Sequence, residues 1–575
     1  MKPLNNTIPK HLQKYIVKQN YSQYSYIDHS CWRFIMRISI NYFSEFAHKI
    51  YLDGLDKTGI TVNKIPKIEA INQKLAAFGW KAVCVRGFIP PNAFMEFQSL
   101  KILPIAADMR SRQNLTYTPA PDIVHEAAGH APIIADKDYS NYLVNYGEIA
   151  SKAIMSSEDM MLYYAIRDLS DIKEKSTTTN DEINYYESKL KEAYSNISYI
   201  SESSLLSRMN WWTVEYGLIG NENTPKIYGA GLLSSVGESE NFRRKTIKKI
   251  PLTLDCIKYG YDITEQQPQL FITPSFNYLT KILKDFSKNM SYKIGGVKGL
   301  EEAIKAKTIC TIELDHKIQI SGIVDKYILK NKIPIFIKTS GPTQLCYKNK
   351  EINGHSINYH QEGYSCPIGK IKKINKSLDY LSELDINSLG IKKGNLVKLE
   401  FSSGVILSGY LTKIIKNKLS LLLLTFKDCT IKYNNEMLFR PSWGEFDLVC
   451  GATINSVYGG PCDTLNYYIS HENSNEEYNK YNTIKKNHIN TELNELHKMV
   501  KNLGKQNNEH AEIEKIYIKA KGNFPNEWLI FYEILELSNN NETLYWNKEI
   551  IEKLYTLIDK NDDLGNAIKR GLKLL

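Results

Sequence analysis

The spacing of hydrophobic positions divides the chain into three regions. Up to about residue 300 the apolar residues recur with the period of an amphipathic α-helix, as in Ala153–Leu169 and Asn180–Ala193. After about residue 305 apolar and polar residues alternate, as at Val397, Leu399 and Phe401, and a period of two is typical of β-strands. A helical period returns after about residue 470. The pattern predicts a multidomain protein: a mainly α-helical domain over residues 1–304, a β-rich region over 305–468, and a C-terminal helical segment over 469–575.

The β-rich region contains an internal sequence repeat. Its two copies share an order of features: a short alternating strand, a second strand with a central glycine, a Lys-Asn-Lys turn and a further apolar strand. This order predicts two related β-hairpin units in small barrel-like or sandwich domains, which serve packing, regulation or assembly. The first copy runs through Thr311–Leu314, Ile320–Val324 and Lys330–Lys332, and the second through Val397–Glu400, Leu407–Leu411 and Lys416–Lys418.

The C-terminal segment carries an apolar seam at helical spacing. The spacing of four and three residues is that of a coiled coil, although only about two heptads are present. Two interpretations stay open: a homo-oligomer formed through these helices, or a helical hairpin packed on the body of the same chain. The seam consists of Ile489, Leu493, Leu496, Val500 and Leu503.

Composition and charge exclude several classes of protein. Hydrophobic residues make up 42% of the 575 positions, which is enough to build real cores. The net charge of +10 is interspersed, and we find no basic stripe with a nucleic-acid-binding module. No apolar run approaches the length of a membrane-spanning helix. The nine cysteines are scattered and the start resembles no signal peptide, so we expect a cytoplasmic protein without nucleic-acid or membrane partners.

The candidate chemistry begins with two histidines five residues apart. The segment His125-Glu126-Ala-Ala-Gly129-His130 differs from the H-E-x-x-H motif of zinc proteases, whose histidines are four residues apart. Five residues of a regular helix rotate the second side chain by roughly 140°, so both histidines reach one metal only where the backbone bends. Gly129 and the nearby Pro132 permit such a bend.

A third candidate ligand is Glu215, which lies in an apolar segment with helical spacing. A carboxylate in such surroundings needs a cation or hydrogen bonds to compensate its burial. A metal is one such cation, and a salt bridge to Arg208 is the alternative. Two histidines and one carboxylate form the ligand set of non-haem Fe(II) oxygenases, which leaves coordination positions open.

Three segments together resemble the pterin-dependent aromatic amino acid hydroxylases. They are Tyr117–His130, Trp211–Leu218 and Tyr228–Glu238, and both their order and their spacing match. The resemblance covers roughly residues 1–300 and is greatest to bacterial members, which lack an N-terminal regulatory domain. It implies a hydroxylase-like catalytic domain that uses Fe(II), O2 and a tetrahydropterin, either tetrahydrobiopterin or a related pterin.

The resemblance also implies roles for individual residues. His125, His130 and Glu215 would bind the iron. Arg110 would grip the carboxylate of the amino acid, and Asp122 would hold Arg110 in place. The remaining residues implied to contact the substrate are Trp211, against its ring, and Thr118, Ser234 and Ser235, which would hydrogen-bond its polar end or the ligand shell.

The pterin is implied to lie against the segment Gly87–Phe94. Phe94 would stack on it, Gly87, Phe88 and Ile89 would line its site, and Glu126 would supply a polar contact. Read from the residues alone, the same segment is a proline-containing turn with an aromatic core residue.

The substrate is implied to be a free aromatic amino acid, and L-phenylalanine converted to L-tyrosine is the first choice. The specificity position corresponds to Ile263, and an apolar residue there disfavours tyrosine, whose hydroxyl needs a polar partner. Tryptophan hydroxylation is the alternative substrate assignment. A second class of function is a non-catalytic amino-acid or pterin sensor with its output in residues 305–575.

One cluster in the β-rich region suggests a metal site at first sight. Cys346, His355, His360 and Cys366 are metal-ligating residue types, but their intervals do not fit common zinc spacings. We therefore predict a loop with unrelated polar residues here.

Overall fold

The protein is described from a computed structural model. The structure describes residues 8–118, 120–173, 178–263, 266–418, 420–469, 490–503, 510–538, 541, 543–560 and 562–575. No helix within these ranges is long and apolar enough to cross a membrane.

Helices dominate the first 306 residues and the C-terminal part, and most strands lie between them. The α-helices are α1 Lys10–Gln13, α2 Tyr26–Phe46, α3 Ile50–Lys57, α4 Ile68–Leu75, α5 Pro91–Ser99, α6 Lys137–Ala150, α7 Ser157–Lys173, α8 Asn180–Ser195, α9 Glu202–Asn210, α10 Ala230–Ser234, α11 Val236–Asn241, α12 Phe276–Ser287, α13 Ser291–Ile294, α14 Gly296–Ala306, α15 Glu383–Ser388, α16 Thr464–Ile469, α17 Thr491–Leu503, α18 His510–Asn523, α19 Trp528–Leu537, α20 Tyr545–Ile558 and α21 Asp563–Leu572. The strands are β1 Lys81–Val85, β2 Ile102–Ala106, β3 Leu218–Ile219, β4 Lys226–Ile227, β5 Lys248–Pro251, β6 Gln269–Thr273, β7 Ile309–Leu314, β8 Ile318–Lys330, β9 Ile333–Tyr347, β10 Lys350–Glu351, β11 Ser365–Pro367, β12 Leu396–Glu400, β13 Ile406–Asn417, β14 Ser420–Tyr433, β15 Glu436–Phe439, β16 Phe446–Val449 and β17 Ile454–Gly459.

Two small sheets lie within the N-terminal helical region. β1 and β2 pair in parallel, and the chain continues from β1 to Gly87 and from β2 to Arg110. The other sheet has the order β4-β3-β6-β5, and its first strand along the chain, β3, begins shortly after Glu215. These strands therefore lead the chain into segments that carry predicted site residues.

The C-terminal helices share the hydrophobic core of the N-terminal region. One cluster of buried side chains contains Trp32 and Trp212 together with Leu496, Trp528 and Ile568. Burying this apolar surface stabilises the two segments against each other. The helices after residue 490 are thus part of the same packed body as residues 31–290.

The contact between α2 and the C-terminal helices is aromatic and charged. Phe34 packs edge-on against Trp528 and Tyr532, with ring centroids 5.0 and 4.9 Å away. Arg33 forms a buried ion pair with Glu533. The predicted seam faces this contact, since Leu493, Leu496 and Val500 are buried, Leu503 is partly buried, and Ile489 lies outside the described residues. The seam is used within the chain, and homo-oligomerisation through it stays a prediction.

The β-rich region has its own core and two antiparallel sheets. One sheet has the order β10-β9-β8-β7-β17, with β11 paired to β9, and the other has the order β12-β13-β14-β15, with β16 paired to β14. The long hairpins β8–β9 and β13–β14 turn at Asn331-Lys332 and at Lys418, which have positive φ angles. Left-handed residues match the twist of a tight hairpin. The core of these sheets is separate from the helical one.

Candidate active site

A cavity of about 380 Å³ opens beside the two histidines in the N-terminal region. This volume is of the order of a small-molecule site. Asp122 is not on the wall but lies behind Arg110, buried at 2% exposure. The other predicted site residues all line the cavity: Gly87, Phe88, Ile89, Phe94, Arg110, Thr118, His125, Glu126, His130, Trp211, Glu215, Ser234 and Ser235.

The backbone around the histidines is a π-helix over Val124–His130. A π-helix closes its hydrogen bonds between residues i and i+5, so it places residues five apart nearly above each other. The wider turn of the π-helix extends over the whole segment, so a local bend at Gly129 is not needed to bring the two histidines together. The ring nitrogens His125 Nε2 and His130 Nε2 are 3.1 Å apart.

Glu215 completes the cluster from a second π-helical segment, Trp211–Glu215. Its carboxylate oxygens lie 3.4 Å from His125 Nε2 and 3.5 Å from His130 Nε2. Arg208 donates instead to the carbonyl of Ile257. The alternative of a salt bridge between Arg208 and Glu215 is thus wrong. The three ligand atoms lie within 4.8 Å of one another, close enough to hold one metal ion.

Hydrogen bonding orients the first histidine toward the cluster. Ser234 Oγ donates to the carbonyl of Ala230 at 2.8 Å, so it is placed to accept from His125 Nδ1, 3.0 Å away. With its proton on Nδ1, His125 presents the Nε2 lone pair to the other two ligands. An outer hydrogen bond of this kind fixes both the tautomer and the ring orientation of a metal-binding histidine.

Burial keeps the uncharged forms of these ligands in the metal-free chain. It lowers the pKa of His125 to about 4, with a further contribution from the charge of Arg110. It also raises the pKa of Glu215 to about 8. A bound cation reverses the second effect, because it favours the ionised carboxylate.

Arg110 is held rigidly by Asp122. Its Nε and Nη2 donate to the two carboxylate oxygens of Asp122 at 2.7 and 2.9 Å, and its Nη1 donates to the carbonyl of Ser234 at 2.9 Å. A guanidinium has five N–H donors, so one remains on each terminal nitrogen. Asp122 also accepts from the backbone of His125 and thus ties the guanidinium to the π-helix.

An aromatic stack forms one wall of the cavity. Trp211 stacks with Tyr261 and with Tyr216, with ring centroids 4.3 and 4.7 Å away and interplanar angles of 11° and 28°. Trp211 Nε1 donates to Gln267 Oε1 at 3.1 Å. Ile263 also lines the cavity, and its carbonyl accepts from Tyr117 Oη. The wall is therefore flat, apolar and fixed in orientation.

Another part of the cavity lining is the segment predicted to hold the pterin. Gly87 adopts a φ of +54°, and its N–H donates to Asp108 at 3.2 Å. Phe94 is partly buried against a small apolar cluster that contains Ile89. Phe88 touches Tyr163 edge-on. The segment therefore lines the cavity and leads into α5 at Pro91, and its role in binding a pterin stays a prediction.

Glu126 brings an unsatisfied carboxylate atom to the cavity. Its side chain is buried, and Oε2 has no hydrogen-bond partner among the described residues. Burial and the charges of Glu215 and Asp122 raise its pKa well above the ordinary value. A buried polar atom of this kind calls for a partner that the folded chain does not itself provide.

The two remaining predicted contacts are engaged with the backbone. Thr118 Oγ1 lies 3.3 Å from the carbonyl of Ala120, to which it donates. Ser235 Oγ donates to the carbonyl of Thr116 at 3.3 Å and accepts from Glu238 N. Both therefore shape the cavity through local turns as well as lining it.

Sequence reasoning missed several residues of the wall. Asn210 hydrogen-bonds Glu215, Tyr261 stacks on Trp211, and Gln267 fixes the indole of Trp211. Asn210 offered a signal, since a polar amide stands between Met209 and Trp211 in an otherwise apolar stretch. The other two lie in a loop remote in sequence from Trp211 and offered none.

Two histidines and one carboxylate, converging beside a small-molecule cavity, define a candidate mononuclear metal site of the non-haem iron type. The sequence model of the biopterin-dependent aromatic amino acid hydroxylases matches residues 10–204 and 201–295. Over these residues the chain belongs to that family.

Relatives of known name match the same half of the chain. It is 27% identical to the phenylalanine-4-hydroxylase of Mesorhizobium japonicum, over 46% of this chain and 81% of that protein. It is 24% identical to that of Pseudomonas aeruginosa, over 47% and 89%. A crystal structure of Chromobacterium violaceum phenylalanine hydroxylase with iron(III) and 7,8-dihydrobiopterin is 22% identical, covers 49% of this chain and 94% of that one, and has a TM-score of 0.37.

Proposed function

We propose that the protein is an iron- and pterin-dependent monooxygenase that hydroxylates L-phenylalanine to L-tyrosine. The observation that carries the proposal is the convergence of His125, His130 and Glu215 on one wall of a cavity whose other walls hold Arg110 and Trp211. Membership of the hydroxylase family and the names of the relatives support the same reaction.

The residues present fit an iron ion. Two neutral imidazoles and one carboxylate are the donor set that non-haem Fe(II) enzymes use. The ligand atoms are 3.1 to 3.5 Å apart, which is already close to the separation found around a single metal. Iron and reduced pterin, when bound, supply the activation of O2. The chain itself contributes the ligand geometry, with His125 held by Ser234 and Glu215 by Asn210.

The lining residues Gly87, Phe94 and Glu126 fit a pterin. Glu126 Oε2 is buried without a partner, and a pterin ring carries N–H groups that match it. Gly87 has no atom within 4 Å of the position of a Cβ, so the backbone leaves open space for a flat ring. Phe94, which lines the same cavity, offers an aromatic face.

Arg110 supports an amino acid substrate. Its two remaining N–H groups, one on each terminal nitrogen, form the fork that pairs with a carboxylate in two parallel hydrogen bonds. The carboxylate of Asp122 neutralises the guanidinium and fixes its plane, so the fork is preorganised before substrate binds. We infer that this fork orients the amino acid, while Trp211 packs against its ring.

The apolar wall supports phenylalanine over tyrosine. Ile263 contributes an apolar side chain to the cavity, and its only polar group nearby, the carbonyl, already accepts from Tyr117. A substrate hydroxyl here would lose its hydrogen bonds to water without replacement, at a cost of about 1–3 kcal/mol. Tryptophan is the alternative substrate, and assays with each amino acid separately distinguish the two assignments.

Metal analysis tests the site independently of turnover. We expect anaerobically reconstituted parent protein to hold Fe(II) through the cluster, and Glu215→Gln to weaken that binding, because an amide is a poorer ligand than a carboxylate. Glu192→Gln, at an exposed position of α8, is the matched control and should bind as the parent does. Equal iron affinity in parent and Glu215→Gln would remove Glu215 from the site.

For the rest of the chain we make proposals about domain organisation and not about chemistry. We propose two related units in the β-rich region, because the repeated sequence segments lie in corresponding strands: β7 and β12, β8 and β13, β9 and β14. The separate core of the β-rich region supports the boundary at residue 468, whereas at residue 304 the same core also takes in Ile154, Leu300 and Ala303 from before the boundary. The cytoplasmic location stays a prediction.

A further inference from the structure

The β-rich region contains a second buried cluster of metal-ligating side chains. His355 and His360 lie in the loop between β10 and β11, and Asp447 lies in β16 of the other sheet. All three side chains are buried, and their ligand atoms fall within 4.8 Å of one another. The sequence prediction of a loop with unrelated polar residues is therefore incomplete, because the fold brings Asp447 to the two histidines.

The geometry of the cluster resembles that of the first site. His355 Nδ1 and His360 Nε2 are 3.4 Å apart, and Asp447 Oδ2 lies 3.7 and 3.9 Å from them. A tetrahedral zinc ion with bonds of roughly 2.0–2.1 Å holds its ligand atoms about 3.3 Å apart. The separations in the structure are a few tenths of an ångström larger, a difference that side-chain rotation removes.

The cluster is built rigidly into the surrounding strands. The backbone carbonyls of His355 and His360 accept hydrogen bonds from Leu345 and Thr343 of β9 at 3.1 and 3.0 Å. Thr425 Oγ1 donates to Asp447 Oδ1 at 2.6 Å, and Tyr359 also hydrogen-bonds this carboxylate, whose Oδ2 lies nearest the two histidines. Supporting contacts of this kind are what orients ligands in metal sites.

The charge balance of the cluster lacks a cation. Asp447 is 2% exposed and forms no ion pair with a lysine or arginine among the described residues, although the charge of Lys413 acts on it from further away. A buried carboxylate is costly unless a cation or hydrogen bonds compensate its charge, and the ligand atoms of two histidines already converge on this one.

We propose that His355 Nδ1, His360 Nε2 and Asp447 Oδ2 bind a divalent transition metal of the zinc class. Nitrogen and carboxylate ligands in a set of three suit Zn²⁺, with the fourth position taken by water. Because the histidines belong to one sheet's loop and Asp447 to the other sheet, the ion cross-links the two sheets. Tyr364 Oη makes a parallel link by donating to the carbonyl of Asp447 at 2.7 Å. Cys346 and Cys366 play no part, since Cys366 Sγ donates to backbone carbonyls and the Cys346 thiol is hydrogen-bonded to that of Cys462.

Counting metal in the full-length chain tests this proposal. Protein stripped with a chelator is reloaded with Zn(II), and bound metal is measured after gel filtration. We expect two equivalents in the parent, one in His130→Gln, one in His360→Gln and none in the double variant. His316→Gln is the matched control, because it removes a histidine of the same region that pairs with Asp379, and it should keep two equivalents. One equivalent in the parent that is lost in His130→Gln, or two equivalents in His360→Gln, would overturn the proposal.

A second measurement guards against a His360→Gln chain that fails to fold. His130→Gln loaded with Co(II) should retain one equivalent with the visible absorption of a four-coordinate nitrogen and oxygen site. Zn(II) should also raise the melting temperature of His130→Gln, because a ligand that binds only the folded state stabilises it. A folded His130→Gln chain that holds no Co(II) and gains no thermal stability from Zn(II) would contradict the second site. Neither Co(II) binding nor the melting temperature depends on hydroxylation, so a failure of the second metal site can be distinguished from a failure of the proposed function.

Discussion

At the residue scale, Arg110 shows how a buried charge is prepared for a ligand. Three of its five N–H groups are used by Asp122 and Ser234, and one remains on each terminal nitrogen of a residue that lines the cavity. The type of residue and its partner Asp122 could be predicted from the sequence. The division of its donors could not, because it depends on the carbonyl of Ser234, which is far away along the chain.

Arg110→Lys should raise the KM for phenylalanine about 10- to 100-fold, because an ammonium replaces a two-point fork with a single point charge. Iron content should stay the same, since the iron ligands are untouched. Steady-state kinetics and metal analysis on the same preparation check both parts.

Arg112→Lys is the matched control for this substitution. Arg112 is a nearby arginine that pairs with Glu527 and does not line the cavity. The KM of Arg112→Lys for phenylalanine should therefore equal that of the parent. A parent-like KM in Arg110→Lys would show that the fork does not bind the substrate.

His29 gives a prediction about pH. It is 8% exposed, and its Nδ1 accepts from the backbone of Ile65 at 3.2 Å. Burial, with the charges of Lys501, Arg33 and Lys64, lowers its pKa to about 4. Between pH 6.5 and 4 the unfolded chain therefore binds a proton that the folded chain does not, so stability is present above pH 6.5 and is lost as the pH falls.

His29→Gln should remove about 2 kcal/mol of the stability difference between pH 7 and pH 5, because an amide accepts the same hydrogen bond without titrating. Denaturant unfolding at the two pH values measures it. His510→Gln, at an exposed position, should keep the parent's difference. An unchanged difference in His29→Gln would show that His29 does not carry this pH dependence.

At the element scale, the π-helix Val124–His130 is the feature that makes the i,i+5 pair workable. Gly129 and Pro132 predicted a bend in the backbone here, and the spacing of the histidines showed that a regular helix would not suffice. The kind of distortion was beyond prediction, since seven residues are too few for a period of 3.6 to be told from a wider one.

Gly129→Ala should lower both iron affinity and stability. A Cβ at this position would lie 2.8 Å from the carbonyl oxygen of Ala230, so the π-helix and α10 would have to separate. Overpacking of this kind costs about 1–3 kcal/mol and shifts Ser234, which orients His125. Thermal unfolding and iron titration measure the two effects.

Gly522→Ala serves as the control for a glycine in a helix. Nothing lies within 4 Å of its Cβ position in α18, so the change should be neutral or stabilise by about 0.5–1 kcal/mol. If Gly129→Ala behaved like Gly522→Ala, the close packing of the π-helix against α10 would be wrong.

At the scale of the whole molecule, the chain folds back so that its two ends share a core. Asn494 Oδ1 accepts from Tyr26 N at 2.7 Å across a sequence separation of 468. The order of helical, β-rich and helical regions could be predicted from hydrophobic periodicity. The surface that receives the C-terminal seam could not, because an apolar seam specifies that it will be buried but not against what.

A double-mutant cycle between Phe34 and Tyr532 tests this shared core. Each change to alanine should lower the free energy of unfolding by about 3–5 kcal/mol, with a coupling of about 0.5–1.5 kcal/mol from the edge-to-face pair. Phe34→Ala with Phe401→Ala, in the other core, should be additive. Additivity of the Phe34 and Tyr532 changes would contradict the packing of the C-terminal helices on α2.

Amino acid product analysis tests the proposed reaction most directly. Iron-loaded protein is given a tetrahydropterin and O2 with phenylalanine, tyrosine or tryptophan in separate reactions, and His125→Ala is run beside it. We predict tyrosine from phenylalanine in amounts matched by pterin oxidation, little product from the other two, and none in His125→Ala. The absence of hydroxylated product from all three amino acids, in protein shown to hold iron, would contradict the hydroxylase function.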